Sequence, residues 1–426
     1  MSYFKKELAP GIFLGGYKDP KYKLDITSVS FVYPLSEESA SLASLLSRVL
    51  TRACRDYPSQ RLLNRALDAL YDTELSSRTS KENDRIVCTF TVSSPCDRFS
   101  LDGTEIRKGA LSVLYGIITE PYLPDGKLFD EYVQGEKKQL IDEIRSLKNQ
   151  RSGYAVQRCI SHMCPGEYAS ISSLGTEEGV ARITSEELYR FYLDMMERSE
   201  IQIFSVTGGD DPEGDRFADK LALSLGPREY TPHTPAPRVI PDGVRRVTEY
   251  EHISQGNLCL GYRTDMRFSD GEYEKFLLFC ELYANSPTSK LFMNVREKLS
   301  LCYYCSATGL PQSGVMLISS GIDAVNAEKA ESEIEKQLSD VQNGSFTDGE
   351  LEDARRFLIS YLRSRTDKPG SMISWYFTRS MLGQDITPKE YIERVRKVTR
   401  QDIINVAKGV YLDTVYLMRG EDGDEV

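Results

Sequence analysis

Histidine is scarce in this chain. The 426 residues include only three histidines, His162, His233 and His252. No two of them lie three to five residues apart, so a helical two-histidine metal motif is excluded. The G-x-S-x-G serine motif and the G-x-x-x-x-G-K-[ST] phosphate loop are also absent. These absences leave little room for histidine acid–base chemistry, for serine hydrolysis at a nucleophile elbow or for nucleotide binding in a P-loop.

Basic charge and long apolar runs are lacking as well. The 53 Lys and Arg are outnumbered by 64 Asp and Glu, and the net charge of -11 argues against a nucleic-acid-binding protein. No run of 18 apolar residues exists, so we expect no membrane span. The nine cysteines are scattered and odd in number, and no signal-peptide pattern is present. We therefore expect reduced thiols and a cytoplasmic location.

The length predicts two or more domains, and a Pro-rich segment shows where they divide. Residues 226–242 contain five prolines and no periodic apolar pattern, which is typical of a stiff linker. The flanking parts, 1–225 and 243–426, repeat one order of strands and helices, and each closing helix begins with a Thr capping signature. This pattern predicts an α+β fold of two duplicated domains, each an antiparallel-rich sheet faced by helices.

Two cysteine motifs were weighed as metal or thiol sites. Cys302 and Cys305 form a C-x-x-C, but no second pair completes a zinc ribbon. Because the motif begins or lies inside a predicted strand, we expect its two sulfurs to point to nearly opposite faces and to be structural. Cys159, His162 and Cys164 lack a fourth ligand, which favours an incidental loop histidine flanked by two ordinary thiols.

The acidic helix predicted over 126–150 carries a pair of carboxylates. Glu136 and Glu143 are two helical turns apart and therefore project from one face. Such a pair is able to serve a metal or a proton transfer. Without a histidine pair, the residues alone favour a solvated face.

The duplicated layout, with this acidic helix, resembles the insulinase/pitrilysin superfamily of zinc peptidases, peptidase family M16, over about residues 24–420. It is most similar to processing-peptidase-like members in which two homologous chains make one enzyme, and to a bacterial, non-catalytic YfmF-type branch. The resemblance implies the LuxS/MPP-like metallohydrolase fold. It also implies a zinc motif H-x-x-E-H in the first half, completed by a glutamate from a later helix.

The zinc motif is degenerate in this chain. The run S-L-L-S-R places Ser44, Ser47 and Arg48 at the His, Glu and His positions. Hydroxyls are poor zinc ligands, and a guanidinium brings a fixed positive charge where a lone pair is needed. Glu143 is then the relic of the third ligand and Glu136 its companion, and Arg48 has the charge to pair with such a leftover carboxylate. The expected metal content of this chain is none.

The second half keeps a pair that active assemblies of this family use to hold the substrate main chain. The segment VREKLSLCYY contains Arg296 and Tyr303, seven residues apart. In the family register, Arg donates to a peptide carbonyl or oxyanion and Tyr supplies a phenolic donor. Taken alone, an Arg at a helix end and a Tyr in a strand are unremarkable in a chain with 25 tyrosines.

The resemblance implies a catalytically incomplete subunit of a heteromeric endopeptidase. In this reading the chain pairs with a zinc-bearing M16 homologue and presents Arg296 and Tyr303 to an extended peptide, which adds a strand to a sheet edge. Two alternatives stay open: a non-enzymatic scaffold or assembly subunit, and a stand-alone peptidase with an unrecognised site. A homodimer of the isolated chain also stays open.

Overall fold

The computed structural model describes residues 2–230, 239–267, 271–310, 312–381 and 383–420. Within these ranges, no helix is both long enough and apolar enough to cross a membrane. The strands are β1 (Ser2–Ala9), β2 (Ile12–Lys18), β3 (Leu24–Pro34), β4 (Glu74–Glu82), β5 (Arg85–Pro95), β6 (Glu200–Thr207), β7 (Arg245–Tyr250), β8 (Gly256–Thr264), β9 (Tyr304–Leu310), β10 (Val315–Ile322) and β11 (Val410–Arg419).

Helices cover much of the remaining chain. They are α1 (Glu37–Leu50), α2 (Gln60–Ala69), α3 (Ile106–Thr119), α4 (Asp130–Ser146), α5 (Arg151–Met163), α6 (Glu177–Arg182), α7 (Ser185–Arg198), α8 (Pro212–Leu225), α9 (Tyr273–Cys280), α10 (Ala327–Gln342), α11 (Asp348–Arg365), α12 (Pro369–Met381), α13 (Pro388–Lys397) and α14 (Arg400–Lys408). Two further segments, Glu281–Asn285 and Phe292–Lys298, are π-helical.

The two sheets have the same topology. The first sheet has the strand order β1-β2-β6-β3-β5-β4, and the second has β7-β11-β8-β10-β9. In both, one parallel pair, β2 with β6 or β7 with β11, stands beside antiparallel neighbours. Leaving out β1, each strand of one sheet has a counterpart in the other. The prediction of two duplicated α+β halves with helix-faced sheets is therefore confirmed.

Local sequence accounts for the helix starts. α7 follows a capping box in which the Thr184 hydroxyl accepts from the Glu187 backbone N–H, and the Glu187 carboxylate accepts from the Thr184 N–H. α14 repeats this arrangement with Thr399 and Asp402. Each cap satisfies backbone donors that a helix start leaves without partners. The capping signature seen in both closing helices thus has the same physical role in both halves.

The chain forms two compact units, and each includes a helix from the other half of the sequence. The first unit comprises described residues within 1–145, 171–234 and 366–385, and the second those within 146–170, 235–365 and 386–426. Consequently α5 packs on β8, β10 and β11, while α12 packs on β3 and β6. Periodicity in the sequence shows that a helix has an apolar face but not which sheet that face covers.

Different chemistry holds these two helices. α5 buries Ala155, Cys159 and Met163 against its sheet, and its Arg158 binds Glu249 of β7 through both carboxylate oxygens. α12 instead inserts Tyr376, which stacks on Tyr3 at a centroid distance of 4.0 Å. The predicted contiguous domains, 1–225 and 243–426, stay a prediction about the sequence. The central part of the predicted linker, residues 231–238, lies outside the described residues.

Candidate functional site

Helix α1 carries the three positions at which the family resemblance places a zinc motif. A capping box of Ser36 and Ser39 starts the helix, and its apolar face packs against β4 and β5. Ser44 and Ser47 lie on this face and are 1% and 3% exposed. The Ser47 hydroxyl donates to the Ser44 carbonyl at 3.0 Å and lies 3.0 Å from Thr79 Oγ1 of β4. Both hydroxyls thus belong to the packing between α1 and the sheet.

Two ion pairs join this helix region to α4. Arg48 Nη2 lies 2.5 Å from Glu143 Oε2, and Arg52 pairs with Glu136. Arg48 precedes Arg52 in the sequence, whereas its partner Glu143 follows Glu136. The α1 region and α4 therefore run in opposite directions at this contact. Glu136 is buried, whereas the Glu143 side chain is 44% exposed. Arg48 therefore pairs with Glu143, but it does so at the rim and not in the interior, and the assignment of Glu143 as a relic ligand stays a prediction.

These residues surround a cavity of about 440 Å³, which we name the α1–α4 pocket. It is lined by Ser44, Ser47, Arg48, Thr51, Arg52, Ser77, Arg78, Thr79, Glu136, Gln139, Glu143 and Leu174. Three arginines face two glutamates in this lining, and the remaining polar groups are mostly hydroxyls. β4, which supplies Ser77 to Thr79, is the outer strand of its sheet. The pocket therefore lies beside a strand edge.

The donor set of this pocket does not fit zinc. Zinc takes thiolate, imidazole and carboxylate ligands, and here only the two carboxylates qualify. Both carboxylates are paired with guanidinium groups, which leaves them poorly suited to a cation. Over the described parts of the chain, no group of three or more His, Cys, Asp or Glu is arranged to hold a metal ion. We derive no metal chemistry from this pocket.

The second candidate pair, Arg296 and Tyr303, is brought together at one cavity in the second unit. This cavity, the Arg296 pocket, has a volume of about 330 Å³. It is lined by Arg296, Glu297, Ser300, Leu301, Cys302, Tyr303 and Asp323. The side chains of Arg296 and Tyr303 remain accessible, with exposed fractions of 41% and 57%. Neither side chain is buried in the packing, whereas Ser44 and Ser47 of α1 are.

The backbone around this pocket is unusual. Arg296 lies in the π-helical segment Phe292–Lys298, and Ser300 has a φ of 51°. π-Helical turns and left-handed non-glycine residues carry a conformational cost and occur frequently at functional sites. Together they end the helix abruptly and turn the chain so that Tyr303 reaches the cavity that Arg296 lines.

Neighbouring groups orient the two side chains. The Arg296 guanidinium lies 4.7 Å from the centroid of the Phe292 ring, and its Nε is 3.7 Å from Glu297. The Tyr303 hydroxyl donates to Asp323 Oδ1 at 2.8 Å. This hydrogen bond and the charge of Asp323 raise the pKa of Tyr303 above its usual value. The phenol therefore stays protonated, and able to donate, at any physiological pH.

A strand edge lies beside this pocket too. Tyr303 directly precedes β9, the outer strand of the second sheet, and its backbone N–H donates to Gly321 of β10 at 2.8 Å. An outer strand leaves backbone donors and acceptors open on one side. Each candidate pocket thus adjoins the outer strand of its own sheet, β4 in one unit and β9 in the other.

The other sequence motifs have structural roles, and two expectations were wrong. His162 does not lie in a loop: it occupies the last turn of α5, with Nε2 2.9 Å from Glu249 Oε1. Cys159 and Cys164 are buried in an apolar cluster. All nine cysteines lie within the described residues and are buried, and none is joined in a disulfide. His233 lies outside the described residues.

The sulfurs of the C-x-x-C also differ from expectation. Cys302 precedes β9 and Cys305 lies within it, and both side chains are buried. The expectation for the sulfurs was wrong in its premise, because it assumed that both residues are in extended strand. The left-handed Ser300 and the irregular segment after it place Cys302 outside the strand.

Sequence reasoning missed three residues at these pockets: Arg52, Thr79 and Asp323. The four-residue spacing of Arg48 and Arg52 was a usable signal, because it puts two guanidinium groups on one side of a helical stretch, although α1 ends at Leu50 and Arg52 follows it. Thr79 and Asp323 reach the pockets through strand pairing, and no local pattern marks them. Their roles depend on which strand is the neighbour.

Known proteins resemble this chain over nearly its whole length. It is 26% identical over 412 residues, 95% of each chain, to the Bacillus subtilis protein named "Probable inactive metalloprotease YmfF". Residues 182–358 match the family model described as peptidase M16 inactive domain. The chain is therefore an M16 homologue of the YmfF type, and YmfF replaces YfmF as the name of the branch that it resembles.

Two further relatives add to this assignment. A second Bacillus subtilis protein, "Uncharacterized zinc protease YmxG", is 21% identical over 289 residues, covering 67% of this chain and 69% of the relative. The crystal structure of a conserved protein from Enterococcus faecalis V583 matches with a TM-score of 0.90 and 26% identity, and the match covers 100% of both chains. The M16 homologue thus shares its complete fold with a solved bacterial protein.

Proposed function

We propose that this M16 homologue is the substrate-holding subunit of a two-chain peptidase and that a zinc-bearing M16 homologue supplies the metal. The observation that supports this proposal is the contrast between the two pockets. Ion pairs engage both carboxylates where the family resemblance assigns zinc, while Arg296 and Tyr303 stay accessible beside an outer strand. This division assigns peptide binding to the second unit and cleavage to the partner.

The chemistry of the Arg296 pocket suits an extended peptide. A guanidinium donates up to two parallel hydrogen bonds to carbonyl or carboxylate oxygens. The neutral phenol of Tyr303 donates one more when it exchanges Asp323 for a peptide carbonyl, because it carries a single O–H. β9 is an outer strand, although its Ala307 N–H already donates to Asn285 Oδ1. Main-chain pairing of an extended segment with the rest of this edge gives affinity with little sequence preference. Pairing along the edge and donation from the two side chains would together hold the backbone of a peptide.

The relatives and the thiols support the remaining parts of the proposal. Bacillus subtilis has both a relative named as inactive and a relative named as a zinc protease, so inactive and zinc-bearing homologues occur together in one organism. Nine cysteines without a disulfide suit a reducing compartment, and we infer that the complex acts in the cytoplasm.

Reconstitution tests the proposal. The chain is mixed with the zinc-bearing M16 homologue from the same genome, and cleavage of internally quenched extended peptides is followed. We expect cleavage by the pair, loss of it with Arg296→Ala or Tyr303→Phe, and retention with the matched surface controls Arg216→Ala and Tyr411→Phe.

Two results would overturn the assignment and favour an alternative. Unchanged cleavage by the Arg296 and Tyr303 variants would indicate a scaffold that serves assembly alone. Cleavage by the isolated chain would indicate a stand-alone peptidase, and its response to a chelator would show whether that activity needs a metal.

A further inference from the structure

A third cavity lies in the first unit, where helices α1, α6 and α7 form its walls. We name it the α6–α7 pocket. Its volume is about 990 Å³, which is at the upper end of the range for sites that enclose a small organic ligand. It shares no lining residue with the α1–α4 pocket or the Arg296 pocket. Neither the family resemblance nor the proposed function assigns it a role.

The walls of this cavity are held in place by contacts outside it. Gly175, with a φ of 78°, and Gly179 lie so close to Ser41 of α1 that a Cβ at either position would come within 2.6 Å of the Ser41 hydroxyl. Lys137 of α4 donates to the carbonyl oxygen of Ile183, directly after α6. Because the helices are fixed in this way, a ligand meets a preformed cavity and loses little binding free energy to rearrangement.

The floor of the cavity is apolar. Leu42 of α1, Ile183 and Phe191 of α7 line it. Ile183 and Phe191 belong to the core of the unit, and Leu42 packs against that core, so their positions are fixed. An apolar side chain that covers them removes hydrocarbon surface from water on both partners, which favours binding.

The charged side chains above this floor are of both signs and are open. Glu37 and Glu38 of α1, Glu178 and Arg182 of α6, and Arg190 of α7 line the cavity. None of these five side chains forms an ion pair or a hydrogen bond with a residue that the structure describes. A ligand with both a cationic and an anionic group would therefore find partners without breaking an existing pair.

Two acidic neighbours on the same helices behave differently. Glu177 of α6 pairs with Arg145, and Glu186 of α7 pairs with Lys127. Neither glutamate lines the cavity. Along α6, the charge that points away from the pocket is thus satisfied by the protein, whereas the next residue, Glu178, stays open at the pocket.

Two further carboxylates in the lining are already engaged. Glu187 caps the start of α7, and Asp194 accepts a hydrogen bond from the Tyr33 hydroxyl. The open charges are therefore three carboxylates and two guanidinium groups, an excess of one negative charge.

We propose that the α6–α7 pocket binds a short peptide with free termini and an apolar side chain. The open carboxylates accept from the terminal ammonium group, the guanidinium groups donate to the terminal carboxylate, and the apolar side chain covers the floor. A simple anion or a simple cation would use only one sign of the open charges. The site does not depend on the proposed function, because it lies in the first unit and its occupancy is measured without a partner chain.

Calorimetric titration of the full chain with the tripeptide Ala-Leu-Ala tests the site. We expect saturable binding of one peptide per chain, with a Kd between about 10 µM and 1 mM. Ala-Gly-Ala, which lacks the apolar side chain, should bind at least about tenfold more weakly. No saturable binding, or equal affinity for Ala-Gly-Ala, would overturn the proposal. Tighter binding of Ala-Lys-Ala would also overturn it, because it would indicate an acidic patch that attracts cations in general.

Capped peptides test the two termini. Acetylation of the N-terminus should weaken binding about fivefold, and amidation of the C-terminus about twofold, since the open carboxylates outnumber the open guanidinium groups and each exposed pair contributes modestly. Equal affinities of the free and both capped peptides would contradict recognition of the termini.

An acidic variant locates the ammonium site by replacing the three open carboxylates: Glu37→Gln/Glu38→Gln/Glu178→Gln. It should weaken binding of Ala-Leu-Ala about fivefold and leave binding of the acetylated peptide unchanged. The matched control replaces three exposed carboxylates of the same unit outside the pocket: Asp68→Asn/Glu131→Gln/Asp219→Asn. An equal loss in this control would assign the effect to the net charge of the chain and overturn the site.

A basic variant locates the carboxylate site. Arg182→Gln/Arg190→Gln should weaken binding of Ala-Leu-Ala about two- to threefold and leave binding of the amidated peptide unchanged. Arg61→Gln/Arg65→Gln, which changes two exposed arginines of α2, is the matched control and should bind normally. Unchanged binding of Ala-Leu-Ala by both pocket variants would place the peptide elsewhere on the chain and refute the proposal.

Discussion

The two pockets of this chain occupy corresponding places in duplicated sheets but have opposite chemistry. In the α1–α4 pocket, Arg48 and Arg52 pair with Glu143 and Glu136 across two helices. In the Arg296 pocket, the guanidinium is accessible and has only a nearby carboxylate at 3.7 Å and the face of an aromatic ring. In the α1–α4 pocket the arginines are thus engaged by carboxylates of the protein, whereas the Arg296 guanidinium is accessible to a ligand.

The difference shows how two carboxylates are held without a metal. A buried carboxylate at Glu136 without a partner would be costly. Arg52 supplies charge balance at that position, and Arg48 does the same at the more exposed Glu143. The α1–α4 pocket is therefore a charge-balanced contact, whereas the backbone beside the Arg296 pocket is strained at Ser300.

The largest expected effect separates the pockets by activity. In the reconstituted pair, Arg296→Ala should lower kcat/KM by about 100- to 1,000-fold, the loss typical of one preorganised donor to a developing charge. Arg48→Ala should change kcat/KM by less than about threefold, because a partly exposed ion pair contributes little. Steady-state kinetics on one quenched peptide measures both. Equal losses in the two variants would remove the functional distinction between the pockets.

Restoring the missing ligands tests whether the α1–α4 pocket keeps the shape of a metal site. The triple variant S44H/S47E/R48H supplies two imidazoles and frees Glu143 from its guanidinium partner. We expect about one zinc per chain, bound at least about 100-fold more tightly than by the wild-type chain, since three protein ligands suffice for zinc.

Metal analysis after dialysis and a competition titration with a chromophoric chelator provide the measurement. The variant S44H/S47E, which keeps Arg48, is the matched control and should bind weakly. Tight binding by this control would mean that Arg48 does not block the site.

Stability distinguishes the two ion pairs within the α1–α4 pocket. Arg52→Met leaves Glu136 buried without its partner and should lower the free energy of unfolding by about 2–4 kcal/mol. Arg48→Met leaves only the partly exposed Glu143 and should cost less than about 1 kcal/mol. Urea unfolding followed by circular dichroism compares them. The double variant Arg52→Met/Glu136→Leu should recover much of the lost free energy of unfolding. If Arg52→Met costs no more than Arg48→Met, the burial of Glu136 is unimportant for stability.

Sequence patterns predicted the duplicated α+β fold because alternation and helical spacing were repeated in both halves. They also located the degenerate positions Ser44, Ser47 and Arg48, and the structure does place the two glutamates opposite this region. The exchange of α5 and α12 between units was not predictable, since an amphipathic helix pattern carries no information about the sheet it covers. The Arg52–Glu136 pair similarly depends on the relative direction of two helices.

The Arg296 pocket shows the other limit of sequence reasoning. A seven-residue spacing identified Arg296 and Tyr303, but it did not reveal how the chain brings them to one cavity. That geometry depends on a π-helical turn and on a serine with positive φ, and neither has a reliable sequence signature. The wrong expectation for the C-x-x-C sulfurs has the same cause, because regular strand geometry was assumed across an irregular turn.

The smallest expected effect concerns the group that orients Tyr303. Asp323→Asn keeps the size of the side chain and an acceptor oxygen for the phenol, but it removes the negative charge that raises the Tyr303 pKa. Tyr303 donates only while protonated, so cleavage that depends on it falls as pH rises through its pKa. Removing the charge lowers that pKa, and the alkaline limb of the kcat/KM profile should therefore move to lower pH, with less than about a threefold change near neutral pH.

Tyr303→Phe provides the matched control for this prediction, since a chain without the phenol has no limb from this group to move. The pH profiles of wild type, Asp323→Asn and the double variant Asp323→Asn/Tyr303→Phe decide the case. A limb that shifts equally with and without the phenol would assign the titration to another group. It would also leave Asp323 with no role beyond packing, so that the Arg296 pocket would hold its tyrosine by geometry alone, much as the α1–α4 pocket holds its serines.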